Sequence, residues 1–260
     1  MKEPLRSRLS LVITVLIVFG IIPACSNPTA RFIKQYKCEV PGKSEPRTPY
    51  EYVERGMEHI HAEQFDCALG ACSEAIRLDS RLATGYACRG GVLSNKGEFL
   101  NAIKDFDSAL KLQPENGDFY YNRAQVYDRL GNTDEALTDL ARAVELIKSE
   151  FGRSVAFALR ARIYQKGEKL DESIKDYTQA IRLTPDFAYH HANRGDVYFE
   201  KKEYQKAIAD YSEAIRLDNK NPYFHSNRAK AYRAAGQTAL AIQDETTSAS
   251  LSHSNGDNSK

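Results

Sequence analysis

Small residues return along this chain at an almost fixed interval, and that interval restricts the fold more than any other feature. Gly56, Gly90, Ala124, Ala161, Gly195 and Ala229 follow one another at steps of 34, 34, 37, 34 and 34 residues. Two further rows keep the same step: Ala68, Ala102, Ala136, Ser173, Ala207, Ala241, and Ala75, Ala109, Ala143, Ala180, Ala214, Ser248. A self-similar unit of this length is a module that cannot bury its apolar face alone, so the modules must stack into a solenoid.

The stretch from Ala83 to Asn116 shows what each module is. Tyr86, Gly90 and Leu93 are spaced by four and three, the period of one helix face. Lys96-Gly97-Glu98 interrupts that pattern, glycine being common just past a helix end. A second stripe follows in Phe99, Ala102, Ile103, Phe106, Ala109, Leu110 and Leu112, and Pro114 closes the unit. Short side chains at Gly90, Ala102 and Ala109 let two helices approach closely, while Tyr86 and Phe106 fill the space beside them.

These residues resemble the tetratricopeptide repeat. Six copies start at Pro49, Ala83, Gly117, Ser154, Ala188 and Pro222, with runs such as Gly-Glu-Phe-Leu-Asn-Ala-Ile-Lys-Asp-Phe (97–106) carrying the likeness. The resemblance implies an all-α, right-handed α-solenoid of about six helix-turn-helix units over residues 49–245. Three extra residues near Phe151-Gly152-Arg153 should lengthen the end of the third helix pair or its connection. Thr238, Glu245 and Ser248 put polar groups where the last unit would otherwise stack, so the sixth copy reads as a cap.

Arginine occupies the seventh place of every copy: Arg55, Arg89, Arg123, Arg160, Arg194 and Arg228. Aspartate follows sixteen residues later in five of them: Asp105, Asp139, Asp176, Asp210 and Asp244. We read these rows as an internal ladder of ion pairs, because a buried guanidinium needs a partner and its planar fork suits a carboxylate. Pairing within a copy leaves only Arg55 without its aspartate, since Ala71 stands in that place.

The ends read differently. Residues 1–25 combine Lys2, Arg6 and Arg8 with the apolar run Leu9 to Ile22 and then Pro23-Ala24-Cys25, the layout of a signal peptide. The run is shorter than the ~20 residues a bilayer-spanning helix needs. Ile22-Pro23-Ala24-Cys25 resembles a bacterial lipobox, which implies lipid on Cys25, export and anchorage at the cell envelope. An uncleaved anchor or simple secretion are the alternatives. Residues 26–48 read as a flexible tether and 246–260 as a fraying tail. With the leader removed, 33 basic side chains face 34 acidic ones, which offers nucleic acid no electrostatic attraction. Cys38, Cys67, Cys72 and Cys88 then remain. Cys67 and Cys72 point different ways on one helix and should not pair together. Cys72 and Cys88 lie on consecutive antiparallel helices and could meet, although Cys72 would also pack well as a reduced core thiol.

Chemistry for catalysis is missing from the pattern. His59 with His61 and His190 with His191 diverge on a helix, unlike a metal-binding i,i+4 pair, and lone His225 has no such partner; we expect no metal and no cofactor. No phosphate loop or nucleophile elbow occurs, so the expectation is a non-enzyme. In the resembling family the first helix of each pair lines a concave groove that takes a peptide or helix of a protein partner. The corresponding places hold Tyr121, Asn122, Gln125, Arg129, Arg162, Tyr189, Asn193, Phe199, Tyr223, Asn227, Lys230 and Arg233, a composition common at binding hot spots. Asn122, Asn193 and Asn227 share the sixth place, where an amide could bond a peptide backbone, or be merely tolerated on an exposed helix; Glu54, Cys88 and Leu159 interrupt that row. The expected role is therefore an envelope scaffold or adaptor. The alternative is an accessory, non-catalytic subunit of an envelope glycosyl- or acyltransferase complex.

Overall fold

A computed structural model describes Cys38 and residues 44–257, with side chains through Ser252. The leader with Cys25, most of the expected tether and residues 258–260 lie outside the described residues. Twelve helices follow in six antiparallel pairs among the described residues. They are α1 (Pro49–His61) with α2 (Phe65–Leu78), α3 (Ala83–Asn95) with α4 (Phe99–Leu112), and α5 (Gly117–Leu130) with α6 (Thr133–Leu146). Then come α7 (Glu150–Lys166) with α8 (Leu170–Leu183), α9 (Ala188–Glu200) with α10 (Tyr204–Leu217), and α11 (Pro222–Ala234) with α12 (Thr238–Asp257). None of these helices is long and apolar enough to cross a membrane. Each pair packs on the next, so the six units form one solenoid.

The small-residue rows are the closest contacts. Ala68, Ala102, Ala136, Ser173, Ala207 and Ala241 are all fully buried. The large knobs beside them sit at one recurring place in the second helix of the four middle pairs: Phe106, Leu140, Tyr177 and Tyr211 are buried in turn. Gly195 shows why the facing residue must be small, since a Cβ there would lie 2.9 Å from the Tyr211 ring. Each pair turns through a left-handed residue at its fifteenth place. Gly97, Gly131 and Gly236 adopt it without steric cost, whereas Glu63, Glu168 and Lys202 hold φ near +60° against the clash with Cβ.

The arginine–aspartate ladder is present and runs within each copy. Arg89, Arg123, Arg160, Arg194 and Arg228 each grip their aspartate through Nε and Nη2 at 2.7–2.9 Å. The third guanidinium nitrogen adds a bond to the preceding copy in three cases: Arg123 to Asp107, Arg194 to Thr178 and Arg228 to Ser212. Arg55, lacking its aspartate, donates instead to the Ser44 carbonyl at 2.7 Å.

Three boundaries differ from the sequence reading. The three extra residues do not lengthen the third pair; they extend the start of α7, which begins at Glu150 and is capped by the Ser149 hydroxyl on the Gly152 N–H. The tether is fastened at Cys38, which is bonded to Cys67 of α2. The last helix runs past 246, since α12 continues to Asp257. Its hydroxyls fold back on the helix instead of competing with it: Thr246 donates to the Ile242 carbonyl and Thr247 to that of Gln243, while Ser248 reaches the Pro222 carbonyl.

Candidate binding groove

Curvature decides which helices face a partner. α1 touches α3, α3 touches α5, α5 touches α7 and α9 touches α11, whereas successive second helices make no comparable contact. The first helices therefore crowd the inner, concave face.

At its N-terminal end this face holds a cleft of about 400 Å³. Val53, Met57 and Ile60 from α1 form one wall, Ala87, Gly91 and Phe119 continue it, and Phe106 lies at its floor. Asn122, Gln125 and Arg129 make its polar rim. Those three were picked out from the sequence, and the structure gathers them on one cleft. The sequence reading did not include this apolar wall among the binding residues; its signal was Met57, standing where later copies carry Gln125, Arg162, Asp196 and Lys230.

From the rim of the cleft onward the concave face becomes polar, and its side chains bond to one another between copies. Arg129 donates to Ser94, Lys166 to Asp128 and Gln165 to Glu200, each rung joining the twelfth and thirteenth places of neighbouring copies. Arg162 adds a second cation to Asp128 at 2.9 Å. Tyr121 is half-buried, and burial raises its phenol above the ordinary value while Arg162 opposes the rise. Asn193 and Phe199 are half-buried, and Tyr189 is exposed with its hydroxyl accepting from Asn221.

The C-terminal end closes around a carboxylate. Asp196 accepts from the Tyr211 hydroxyl at 2.6 Å, the Tyr223 hydroxyl, and the Asn227 amide at 3.2 Å. Burial pushes its pKa up, against the pull of those hydrogen bonds and of Lys230. Lys230 donates to the Asn227 side-chain oxygen, so Asn227 is buried and engaged within the chain rather than standing free. Arg233 is likewise paired, holding Glu245 of α12 through two bonds of 2.7 Å.

His59, His190, His191 and His225 are buried in the core, whereas His61 is exposed. His190 is buried against Phe187, and burial, with His191 beside it, holds its pKa down to about 4. His225 meets Asp244 at 3.3 Å. No cluster of three or more metal-ligating side chains occurs among the described residues.

A family model described as TPR repeat matches residues 161–202 and 195–236, and one described as tetratricopeptide repeat matches 92–150. Tetratricopeptide repeat protein 36 of Xenopus tropicalis is 40% identical over 103 residues, covering 38% of this chain and 50% of the relative. The chain thus spans about half the length of that relative. Among solved structures, pilF of Pseudomonas aeruginosa superposes with a TM-score of 0.68 at 16% identity, covering 75% of this chain and 88% of that one. PilW, described as a type IV pilus biogenesis factor, superposes at 0.69 with 13% identity, covering 78% and 92%. At such identities the structural likeness shows the fold alone.

Proposed function

Because the chain belongs to the tetratricopeptide-repeat family, we propose that it is a non-enzymatic adaptor that seats an extended peptide or a helix of a protein partner along its concave face. The observation that carries this reading is the cleft between α1, α3 and α5, where an exposed methionine and other apolar side chains sit beside the amides of Asn122 and Gln125 and the Arg129 guanidinium, which among the described residues is bonded only to Ser94. Apolar anchors are rewarded by desolvation there, and Asn122 and Gln125 can both donate to and accept from a peptide backbone. The polar rungs beyond the cleft supply further contacts along the partner.

The same proposal places the protein outside the cytoplasm, tethered to the envelope by lipid on Cys25. Two observations support it: the leader and lipobox-like end, and two intramolecular disulfides, which persist in oxidising compartments. Acyl labelling tests the anchor, with Cys25→Ser expected to abolish both the label and membrane retention. Retention without label would mean an uncleaved leader.

Photo-crosslinking residues installed at Gln125 and Asn193 should capture a protein in the native host, whereas the same residue at Lys104 or Lys175 on the second helices should not. Capture from the second helices alone would refute the groove. A transferase captured in stoichiometric amount would make the chain an accessory subunit of that enzyme.

A further inference from the structure

The N-terminal end of the groove is held by sulfur where every other seam is held by packing. In the second helix of the first pair, Cys72 occupies the place that Phe106, Leu140, Tyr177 and Tyr211 fill in later copies. Cys88 of α3 stands at the sixth place, where Asn122 and Asn193 follow. The two are joined in a disulfide that crosses from α2 to α3, and Cys88 also lines the cleft. Its sulfur lies 3.9 Å from the Val53 carbonyl of α1.

We propose that the Cys72–Cys88 bridge makes the apolar cleft redox-dependent, so that a dithiol which reduces it detaches α1 from α3 and dismantles the cleft. As regulation of the groove this rests on the binding reading above; as a structural change it does not. The step balances: the dithiol gives up two electrons and two protons and becomes a disulfide, the Cys72–Cys88 bond breaks, and each sulfur leaves as a thiol.

Space dictates the direction of the change. Both sulfurs press on Gly56 of α1 so closely that a Cβ there would lie 2.6 Å from one and 2.7 Å from the other. Cys72 is fully buried and Cys88 nearly so. Free thiols must separate to ordinary van der Waals distance, and α1 is the neighbour least able to resist. No copy packs on its outer side among the described residues, and Arg55 lacks the aspartate that pins every later first helix. α1 carries Val53, Met57 and Ile60, so its displacement removes one whole wall of the cleft.

Met57 reports on that wall directly, because Met1 is the only other methionine. We would label the full chain with 13C-methyl methionine and follow the Met57 resonance and backbone hydrogen exchange while titrating dithiothreitol, with alkylation and mass spectrometry recording which cysteines open. Reduction of Cys72 and Cys88 should shift or broaden the Met57 signal and accelerate exchange over 49–61 by at least about tenfold, leaving 188–217 unchanged. Cys72→Ser with Cys88→Ser should reproduce this without reductant; if that variant does not fold, the titration of the native chain stands as the test. An unchanged Met57 signal with both thiols alkylated would overturn the proposal. So would a bridge that no excess of dithiol opens in the folded protein, or a Cys38→Ser, Cys67→Ser variant that shows the whole effect while Cys72–Cys88 is intact. Because no partner is present, a groove reading refuted by crosslinking would leave this result standing, and the converse holds.

Discussion

The first helix pair and the fifth solve one problem with different chemistry. In the fifth, Arg194 holds Asp210 through two hydrogen bonds of 2.8 Å, and Tyr211 fills the seam behind Gly195. In the first, Ala71 replaces the aspartate, Arg55 settles for the Ser44 carbonyl, and a disulfide fills the seam behind Gly56. Ion pairs and packed rings act in any redox state, and the ion pairs weaken when their carboxylates are protonated, whereas a disulfide depends on redox state and does not titrate. The two ends of one solenoid should therefore fail under different conditions, which a two-state description of the whole chain would hide.

The largest effect expected at the fifth pair comes from stranding one partner of the ladder. Arg194→Leu and Asp210→Leu should each destabilise by about 3 kcal/mol, and the double variant should recover part of that loss, as read by urea unfolding. Additive losses below about half a kcal/mol would mean two independent surface charges.

At the first pair the same change should matter less. Arg55→Leu gives up a bond to a backbone carbonyl and a looser ion pair of 3.6 Å with Glu58 of its own helix, instead of a bidentate carboxylate, so about 1–2 kcal/mol is expected from the same measurement. A loss equal to that of Arg194→Leu would erase the contrast between the two ends.

Acid sharpens the comparison inside the C-terminal end. Burial raises the Asp196 carboxyl, so its charged form costs stability above its folded pKa, and that cost is relieved as pH falls through it. Burial acts on Asp244 in the same sense, but hydrogen bonds from Arg228 and His225 outweigh it and hold the carboxyl below its ordinary value. Its contribution is present above the unfolded pKa and lost as pH falls through the folded one. Relative to wild type, Asp196→Asn should therefore grow more harmful on acidification and Asp244→Asn less harmful. Parallel pH profiles for the two variants would refute this assignment.

The smallest effect concerns the turns. Glu63→Gly, Glu168→Gly and Lys202→Gly relieve a left-handed residue but add freedom to the unfolded chain, so each should stabilise by only about 0.5 kcal/mol. Thermal unfolding of the triple variant would show the sum, and no gain would mean these turns carry no strain.

Periodicity made the solenoid legible, because a stacking unit must repeat its small residues wherever two helices touch, and Gly56, Gly90 and Gly195 mark those contacts. The ladder was legible for the same reason: two charged rows sixteen apart meet once the helix pair folds, and Ala71 showed which pairing was in use. The groove positions followed from the repeat register, and Asn122, Gln125 and Arg129 do share a cleft. Only the tertiary structure decided which of the others are spoken for. Asn227 and Arg233 look as available in the sequence as Asn122, yet Asp196, Lys230 and Glu245 engage them across helices. Partners that recur at no fixed spacing leave no periodic trace. The same holds for Cys38, whose bond to Cys67 joins a residue outside the repeats to one within them, so no register could pair the two.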